Sequence, residues 1–207
     1  MTFGTVIRSF AAPAFNPTGV GFDGRCLWIG DYDQYRLYQV DPETGTTIRS
    51  FSVVLGSPQG ITFDGRCLWW ADSNKELIYQ SDPETGTKIR SFAAPAQAGR
   101  GLTFDGRTLW YTDYSANTIY QIDPETGTVI RSFAGPGGGP TGLTFDGRHL
   151  YVADYTNARI YQVDPETGTT IRSCATPALY PKGLTFDGRT LWLSTLAGAA
   201  IYQIQID

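Results

Sequence analysis

Short runs of apolar and β-branched residues alternate with polar turns along the whole chain, and the stretch 101–133 shows the pattern clearly. Gly101-Leu-Thr-Phe104 is extended in character, and Thr108-Leu-Trp-Tyr-Thr112 is almost continuously apolar or β-branched. Thr118-Ile-Tyr-Gln-Ile122 and Val129-Ile-Arg-Ser-Phe133 repeat this composition. Such runs, without the period of an amphipathic helix, are typical of β-strands. The stretch therefore predicts four strands, which we call A, B, C and D in chain order.

The segments between these runs predict tight turns that fold the four strands into one antiparallel sheet. Asp105-Gly106, between A and B, is typical of a type I′ hairpin, and the polar residues 113–117 predict a turn between B and C. Asp123-Pro-Glu-Thr-Gly127, between C and D, supplies a proline and a glycine where a turn needs them. The A–B and C–D turns point the same way and define the bottom face. The B–C turns and D–A loops define the opposite, top face.

The same unit recurs five times at a spacing of 41 residues, and its Phe-Asp-Gly-Arg motif begins at Phe22, Phe63, Phe104, Phe145 and Phe186. A fixed period near 40 residues indicates one supersecondary unit stacked against copies of itself. We predict a single all-β domain over 1–207, a five-bladed β-propeller of four-stranded antiparallel blades. The predicted blades are approximately 18–51, 59–92, 100–133, 141–174, and 182–206 plus 4–10.

The phase of the repeat predicts how the ring closes. Residues 4–10 align with strand D but have no strands A to C before them, whereas 182–206 supply A, B and C without a D. We expect the N-terminal strand to complete the last blade. A solenoid is the competing arrangement, but closure removes two exposed strand edges that a solenoid would leave open.

The phrase GLTFDGRTLWYTDYSANTIYQIDPETGTVIRSF resembles the NHL/YVTN class of β-propeller repeat in all five units. It is more loosely similar to the propellers of glutaminyl cyclotransferases, SMP-30-type lactonases and virginiamycin B lyases. The resemblance implies blade architecture rather than one activity. The Glu/Asp/Asn metal cluster of the lactonases and the His with Glu of the lyases have no evident counterpart here. Copies this similar indicate recent amplification of one blade or construction from a consensus.

Composition and charge narrow the classes of partner. The chain has 20 acidic and 16 basic residues, and ten of its 13 arginines belong to the Phe-Asp-Gly-Arg and Ile-Arg-Ser motifs, spread around the ring. This excludes the clustered basic surface of a nucleic-acid-binding or membrane-binding protein. No stretch approaches the ~20 apolar residues of a transmembrane helix, and no signal peptide is evident. We expect a soluble monomer in an unassigned compartment.

Repeated polar and aromatic residues have structural as well as functional interpretations. The single histidine, His149, excludes multi-histidine metal sites, and we expect it to be an ordinary strand-edge residue. An Asp ends strand B in four blades and a Trp or Tyr occupies strand B in all five. We favour turn capping over cation binding for the first column, and core packing over sugar stacking for the second. Arg25 and Glu43, with their repeats, are expected to form ion pairs on the bottom face.

The five copies differ mainly in their D–A loops and B–C turns, which converge on the top face, where a scaffold tolerates change. This face is the predicted binding surface, with no catalytic residue, metal or cofactor. The candidate residues are Asn16, Asp31, Tyr32, Asp72, Arg100, Asp113, Tyr114, Asp154, Tyr155, Tyr180 and Lys182.

The leading functional hypothesis is a non-enzymatic scaffold or interaction module, engineered or recently amplified, with a protein, peptide or glycan partner at the top face. One alternative is a carbohydrate-binding lectin with a site repeated in each blade. The other is a metal-assisted lactonase-like or lyase-like enzyme.

Overall fold

Twenty β-strands form five four-stranded antiparallel sheets in the computed structural model, which describes residues 2–53 and 56–206. Each sheet is one blade, which confirms the predicted five-bladed propeller. The variable loop of the second blade contains residues 54–55, which lie outside the described residues. Within the described ranges, no helix is long and apolar enough to span a membrane.

The strands are labelled β1 to β20 in chain order and fall into four columns. The A strands are β2 (Pro17–Phe22), β6 (Pro58–Phe63), β10 (Gly99–Phe104), β14 (Pro140–Phe145) and β18 (Pro181–Phe186). The B strands are β3 (Leu27–Asp31), β7 (Leu68–Asp72), β11 (Leu109–Asp113), β15 (Leu150–Asp154) and β19 (Thr190–Thr195). The C strands are β4 (Arg36–Val40), β8 (Leu77–Ser81), β12 (Thr118–Ile122), β16 (Arg159–Val163) and β20 (Ala200–Gln205). The D strands are β1 (Val6–Ala11), β5 (Thr47–Ser52), β9 (Lys88–Ala93), β13 (Val129–Ala134) and β17 (Thr170–Ala175).

The N-terminal strand closes the ring as the repeat phase predicts. β1 pairs antiparallel with β20, from Val6 opposite Ile204 to Ala11 opposite Ala200. The last blade therefore has the order β1-β20-β19-β18, and its outer strand comes from the other end of the chain. Every blade consequently has the same four strands, which satisfies the backbone groups that β20 would otherwise expose.

The A strands begin two residues earlier than the apolar pattern predicts, because each contains a β-bulge. In β10, Gly99 pairs with Asp113 and Gly101 with Thr112, so Arg100 is the extra residue. The same irregularity occurs between Pro181 and Leu184 in β18. A bulge leaves one residue unpaired and redirects its side chain. Hydrophobic alternation alone does not reveal this insertion.

The A strands of neighbouring blades approach each other almost backbone to backbone around the central axis. A Cβ atom on Gly19 would lie 1.7 Å from the carbonyl oxygen of Gln59, and one on Gly60 would lie 2.2 Å from the amide nitrogen of Leu102. Only glycine fits such contacts. The blades are also joined by hydrogen bonds, as where Thr112 Oγ1 donates to the carbonyl of Thr141 at 3.0 Å. The top ends of the A strands therefore surround a narrow channel mouth.

The ring of ion pairs differs from the predicted one. Glu43 pairs with Arg8 of the preceding blade at 2.7 Å, whereas Arg25 forms no ion pair among the described residues. The reason is that Arg8 is fixed on its strand, where its Nε donates to Gln203 at 2.7 Å and its guanidinium lies over Trp192. Arg25 projects from an exposed hairpin instead. The interaction recurs in the pairs Arg49–Glu84, Arg90–Glu125 and Arg131–Glu166.

Candidate functional site

The column of aspartates at the ends of the B strands caps turns. Asp113 is 2 % exposed, and its carboxylate accepts hydrogen bonds from the amides of Ala98 at 2.9 Å and Ala116 at 2.6 Å. One bond fixes the D–A loop and the other fixes the B–C turn. Equivalent bonds are made by Asp31, Asp72 and Asp154. These four candidate residues therefore lie beneath the top face and accept hydrogen bonds from backbone amides, whereas Asp72 Oδ2 is buried without a hydrogen-bond partner among the described residues.

The aromatic column of the B strands is packed between blades. The members are at most 2 % exposed: Trp28, Trp69, Trp110, Tyr151 and Trp192. The indole Nε1 of Trp110 donates to Asp105 at 2.8 Å, which satisfies its one polar atom. A sugar has no access to these ring faces, so the packing interpretation is confirmed and the sugar-stacking interpretation of this column is wrong.

The bulge of each A strand places one variable residue at the channel mouth. The five residues at this position are Thr18, Gln59, Arg100, Thr141 and Lys182. Thr18 and Thr141 are buried, and Thr141 Oγ1 donates to the carbonyl of Pro181 at 2.9 Å. Arg100 extends sideways to Gln59, with its Nη1 3.2 Å from Gln59 Oε1. Three of the five blades therefore supply a neutral residue here, and two supply a cation.

Arg100, Thr141 and Lys182 line one cavity of about 160 Å³ together with Tyr114 and Tyr155. We call this cavity the channel-mouth site. The Arg100 guanidinium lies 5.7 Å from the Tyr114 ring centre, and Lys182 Nζ lies 4.8 Å from the Tyr155 ring centre. The two tyrosine rings meet edge to face, with their centres 6.0 Å apart. The site thus has two cations at its base and an aromatic wall.

Neither cation of the channel-mouth site has an acidic partner in the part of the chain that the structure describes. The ion pairs there involve other residues, and Asp113 and Asp154 direct their carboxylates at backbone amides. Burial, reinforced by the nearby charge of Arg100, lowers the pKa of Lys182 to about 8. The site is therefore an uncompensated positive pocket in a protein of net charge −4.

Tyr180 packs against Tyr155, one of the residues that line the site, at a place where the last blade departs from the repeat. Thr195 replaces the aspartate of the other blades, and its hydroxyl donates to the carbonyl of Ala197 at 3.0 Å. The loop before β18 therefore lacks the carboxylate that holds the corresponding loops. Tyr180 adopts φ of 60°, in the left-handed region that non-glycine residues seldom occupy, and its ring lies 5.0 Å from that of Tyr155. Such backbone strain is typical of functional sites.

The structure brings five of the sequence-predicted residues together and leaves the others apart. Arg100, Tyr114, Tyr155 and Lys182 line the channel-mouth site, and Tyr180 lies against Tyr155. Asn16 and Tyr32 belong to the first blade, where the Tyr32 amide donates to the Asn16 carbonyl at 3.1 Å. Sequence reasoning missed Thr141, which the alignment of Pro-Thr-Gly with Pro-Lys-Gly would have placed in the same column.

His149 lies outside this site, at an A–B hairpin on the bottom face. Its Nδ1 is 2.9 Å from Gln162 Nε2 and 3.5 Å from Asp146. The prediction of an ordinary strand-edge residue agrees with this position. No group of three or more His, Cys, Asp and Glu side chains suited to a metal ion occurs within residues 2–53 and 56–206.

Comparison with solved structures places the chain among known propellers. Glutaminyl cyclase of Myxococcus xanthus superposes with a TM-score of 0.82 at 15% identity, over 98% of this chain and 96% of that one. Virginiamycin B lyase of Staphylococcus aureus gives a TM-score of 0.59 at 20% identity, over 96% and 69%. A chain of a nidogen/laminin complex gives 0.67 at 23% identity, over 94% and 77%. At these identities the similarity shows the fold alone.

Sequence comparison assigns the family. A search of curated protein sequences found no match. The family model described as the SMP-30/gluconolactonase/LRE-like region matches residues 11–153, more than half of the chain. The protein therefore belongs to the SMP-30/gluconolactonase/LRE-like family of β-propellers.

Proposed function

We propose that this protein is a binding module that holds a small organic anion at the channel-mouth site and does not turn it over. The observation that carries the proposal is the convergence of Arg100 and Lys182 on one aromatic-walled cavity, with no carboxylate of the described residues paired to either. Burying a charge is costly unless it is paired. An anionic ligand would supply the missing partner.

The shape and chemistry of the site favour a compact ligand with a carboxylate or phosphate group. Guanidinium presents a planar fork of donors that matches carboxylate and phosphate oxygens, and ammonium adds a point charge. The cavity of about 160 Å³ is open to solvent, and the rings of Tyr114 and Tyr155 offer apolar surface to the part of the ligand beyond its acid group. Pockets of this kind combine an apolar lining with a few well-placed polar groups.

The metal chemistry of the resembled lactonases does not fit these residues. A divalent cation such as Ca²⁺ or Mg²⁺ requires several oxygen ligands, usually carboxylates. The channel mouth offers two hydroxyls, one amide and two cations, and the nearest aspartates are engaged with backbone amides. Arg100 and Lys182 would repel a divalent ion. We therefore derive no metal-assisted step for this chain, although family members and structural neighbours include enzymes.

A panel of small anions tests the proposal by thermal shift. Phosphate, sulfate and L-lactate are compared with lactamide, the neutral amide of lactate. We expect at least one anion to raise the melting temperature in a saturable manner, and lactamide to have no effect. Arg100→Gln installs the residue that occupies the same position in the second blade, so this variant is expected to fold and to lose the anion response. Equal responses of the variant and the wild type would contradict the proposal.

The same panel separates the lectin alternative. A glycan site repeated in each blade would bind neutral sugars, and Arg100→Gln would leave four of five sites unchanged. The channel-mouth site, in contrast, occurs once in the ring, because the combination of its two cations and two tyrosines is not repeated at the equivalent positions of the other blades.

A further inference from the structure

We propose that Lys182 is a carbonyl-reactive amine that captures small 2-oxo acids as a reversible imine, while Arg100 holds their carboxylate. This inference rests on the proposed anion site and identifies its ligand class. In a 2-oxo acid, the carboxylate is directly attached to the carbonyl carbon. Recognition of such a molecule therefore requires a carboxylate-binding group and an amine on the same small cavity.

The fold supplies these two groups from different blades. Arg100 lies on β10 and Lys182 on β18, on either side of Thr141 on β14, and all three line the channel-mouth site. Both cations occupy bulge positions, where the side chain is redirected out of the strand pairing. When the carboxylate of a 2-oxo acid binds at Arg100, the carbonyl carbon next to that carboxylate lies in the cavity that Lys182 also lines. A short acid such as pyruvate or glyoxylate fits within a cavity of about 160 Å³.

The surroundings of Lys182 make its neutral, nucleophilic form accessible. Among the described residues, the charged and titratable groups that line the cavity with it are Arg100 from β10 and Tyr114 and Tyr155 from two B–C turns, and Tyr180 from the loop before β18 packs on Tyr155. None is a carboxylate. Burial and the charge of Arg100 lower the Lys182 pKa to about 8, so roughly a tenth of the amine is neutral at pH 7. Desolvation beside a second cation is a known means of activating a lysine for imine formation.

The reaction is a simple condensation. The nitrogen lone pair of neutral Lys182 attacks the carbonyl carbon, a C–N bond forms, and the carbonyl oxygen gains a proton while the nitrogen loses one. The hydroxyl of the resulting carbinolamine then takes up a proton and leaves as water while the nitrogen lone pair forms the C=N bond, and the nitrogen gives up its remaining proton. One amine and one ketone thus give one imine and one water, with no oxidant or reductant. Hydrolysis reverses both steps and releases the acid.

Borohydride trapping tests this step on the full chain. Pyruvate is added at neutral pH, sodium borohydride delivers hydride to the imine carbon, and the secondary amine that forms is located by peptide mass mapping. We expect the adduct at Lys182 in strong preference to the amino terminus and to Lys75 and Lys88, the other two lysines. Labelling spread evenly over these amines would overturn the proposal.

Two variants separate covalent capture from anion binding. Lys182→Arg retains a cation and is expected to bind lactate and pyruvate but to yield no adduct at this position. Lys182→Thr installs the residue found at this position in two other blades, and is expected to lose the adduct and weaken binding of both acids. Lys88→Arg, on the outer strand β9, is the matched control and should label like the wild type.

The outcomes distinguish this inference from the proposed function. If lactate and pyruvate both raise the melting temperature of the wild type but borohydride leaves Lys182 unmodified, the imine proposal is wrong and anion binding stands. If neither acid, nor inorganic phosphate, raises the melting temperature and no adduct forms, both proposals fail. An adduct at Lys182 that disappears in Arg100→Gln supports both.

Discussion

Substituting Lys182 by threonine should change the pH dependence of folding stability. The structure half-buries this ammonium group beside Arg100 with no acidic partner among the described residues, so the folded protein disfavours its charged form. Threonine already occupies the equivalent position in the first and fourth blades, where it is buried and hydrogen-bonded to the next blade. The variant therefore removes the charge without introducing a residue foreign to the position.

The expected magnitude follows from the lowered pKa. Moving the Lys182 pKa from 10.5 to about 8 costs the folded state about 3 kcal/mol at pH 7, at about 1.4 kcal/mol for each pH unit. Between pH 8 and 10.5 the unfolded state binds more protons at this residue than the folded state, so the cost declines as the pH rises. About 1 kcal/mol should remain at pH 10. The free energy of unfolding of the wild type should thus rise by about 2 kcal/mol relative to Lys182→Thr between pH 7 and 10.

Urea denaturation of both proteins at pH 7 and pH 10 measures this difference. Comparison with the variant cancels the titration of tyrosines and cysteines common to both proteins. A stability difference that stays constant from pH 7 to pH 10 would refute the assignment of Lys182 as a buried, uncompensated cation.

Three further predictions concern other parts of the structure. Deleting residues 1–10 should remove most of β1 and leave β20 unpaired, giving aggregation or a large loss of melting temperature; a monomer that melts like the wild type would contradict the closure. Gly60→Ala should destabilise the fold strongly because its Cβ would meet the backbone of β10, whereas Gly138→Ala, with no atom within 4 Å of the added Cβ, should melt like the wild type. Thr195→Asp should restore a carboxylate that accepts hydrogen bonds from the loop before β18. Tyr180 should then move away from Tyr155, which should weaken lactate binding in calorimetry without lowering the melting temperature.

The sequence predicts most of the fold because each blade carries its own turn and strand signals. Asp-Gly and Pro-Glu-Thr-Gly locate the hairpins, and the alignment of residues 4–10 with strand D predicts the pairing of β1 with β20. The predicted type I′ geometry of the A–B turn is wrong, because that turn needs positive φ at both central residues and only Gly106 has it. The bulges escape prediction because one inserted residue changes the pairing register without changing the composition of the strand. The ion-pair partner of Glu43 was predicted wrongly as Arg25. The repeat shows that both residues lie on the bottom face, but it does not show which neighbouring blade an arginine side chain contacts.

The sequence predicted the face on which the candidate site lies, but not which residues come together to form it. Variation among the copies pointed to Arg100, Tyr114, Tyr155, Tyr180 and Lys182, but also to residues in the first two blades. Convergence of these five residues depends on the closed ring, which places the third, fourth and fifth blades around one side of the channel mouth. The replacement of an aspartate by Thr195 is visible in the sequence, whereas its effect on Tyr180 requires the loop geometry.

Isothermal titration calorimetry with L-lactate tests the central claim most directly, because it reports stoichiometry and affinity together. One saturable site per chain is expected, since the cations and tyrosines of the channel-mouth site occur once in the ring. Binding should be lost in the Arg100→Gln, Lys182→Thr double variant, which replaces both cations by residues already present at that position in other blades. Unchanged binding by the double variant, or several equivalent sites per chain, would contradict an anion site at the channel mouth.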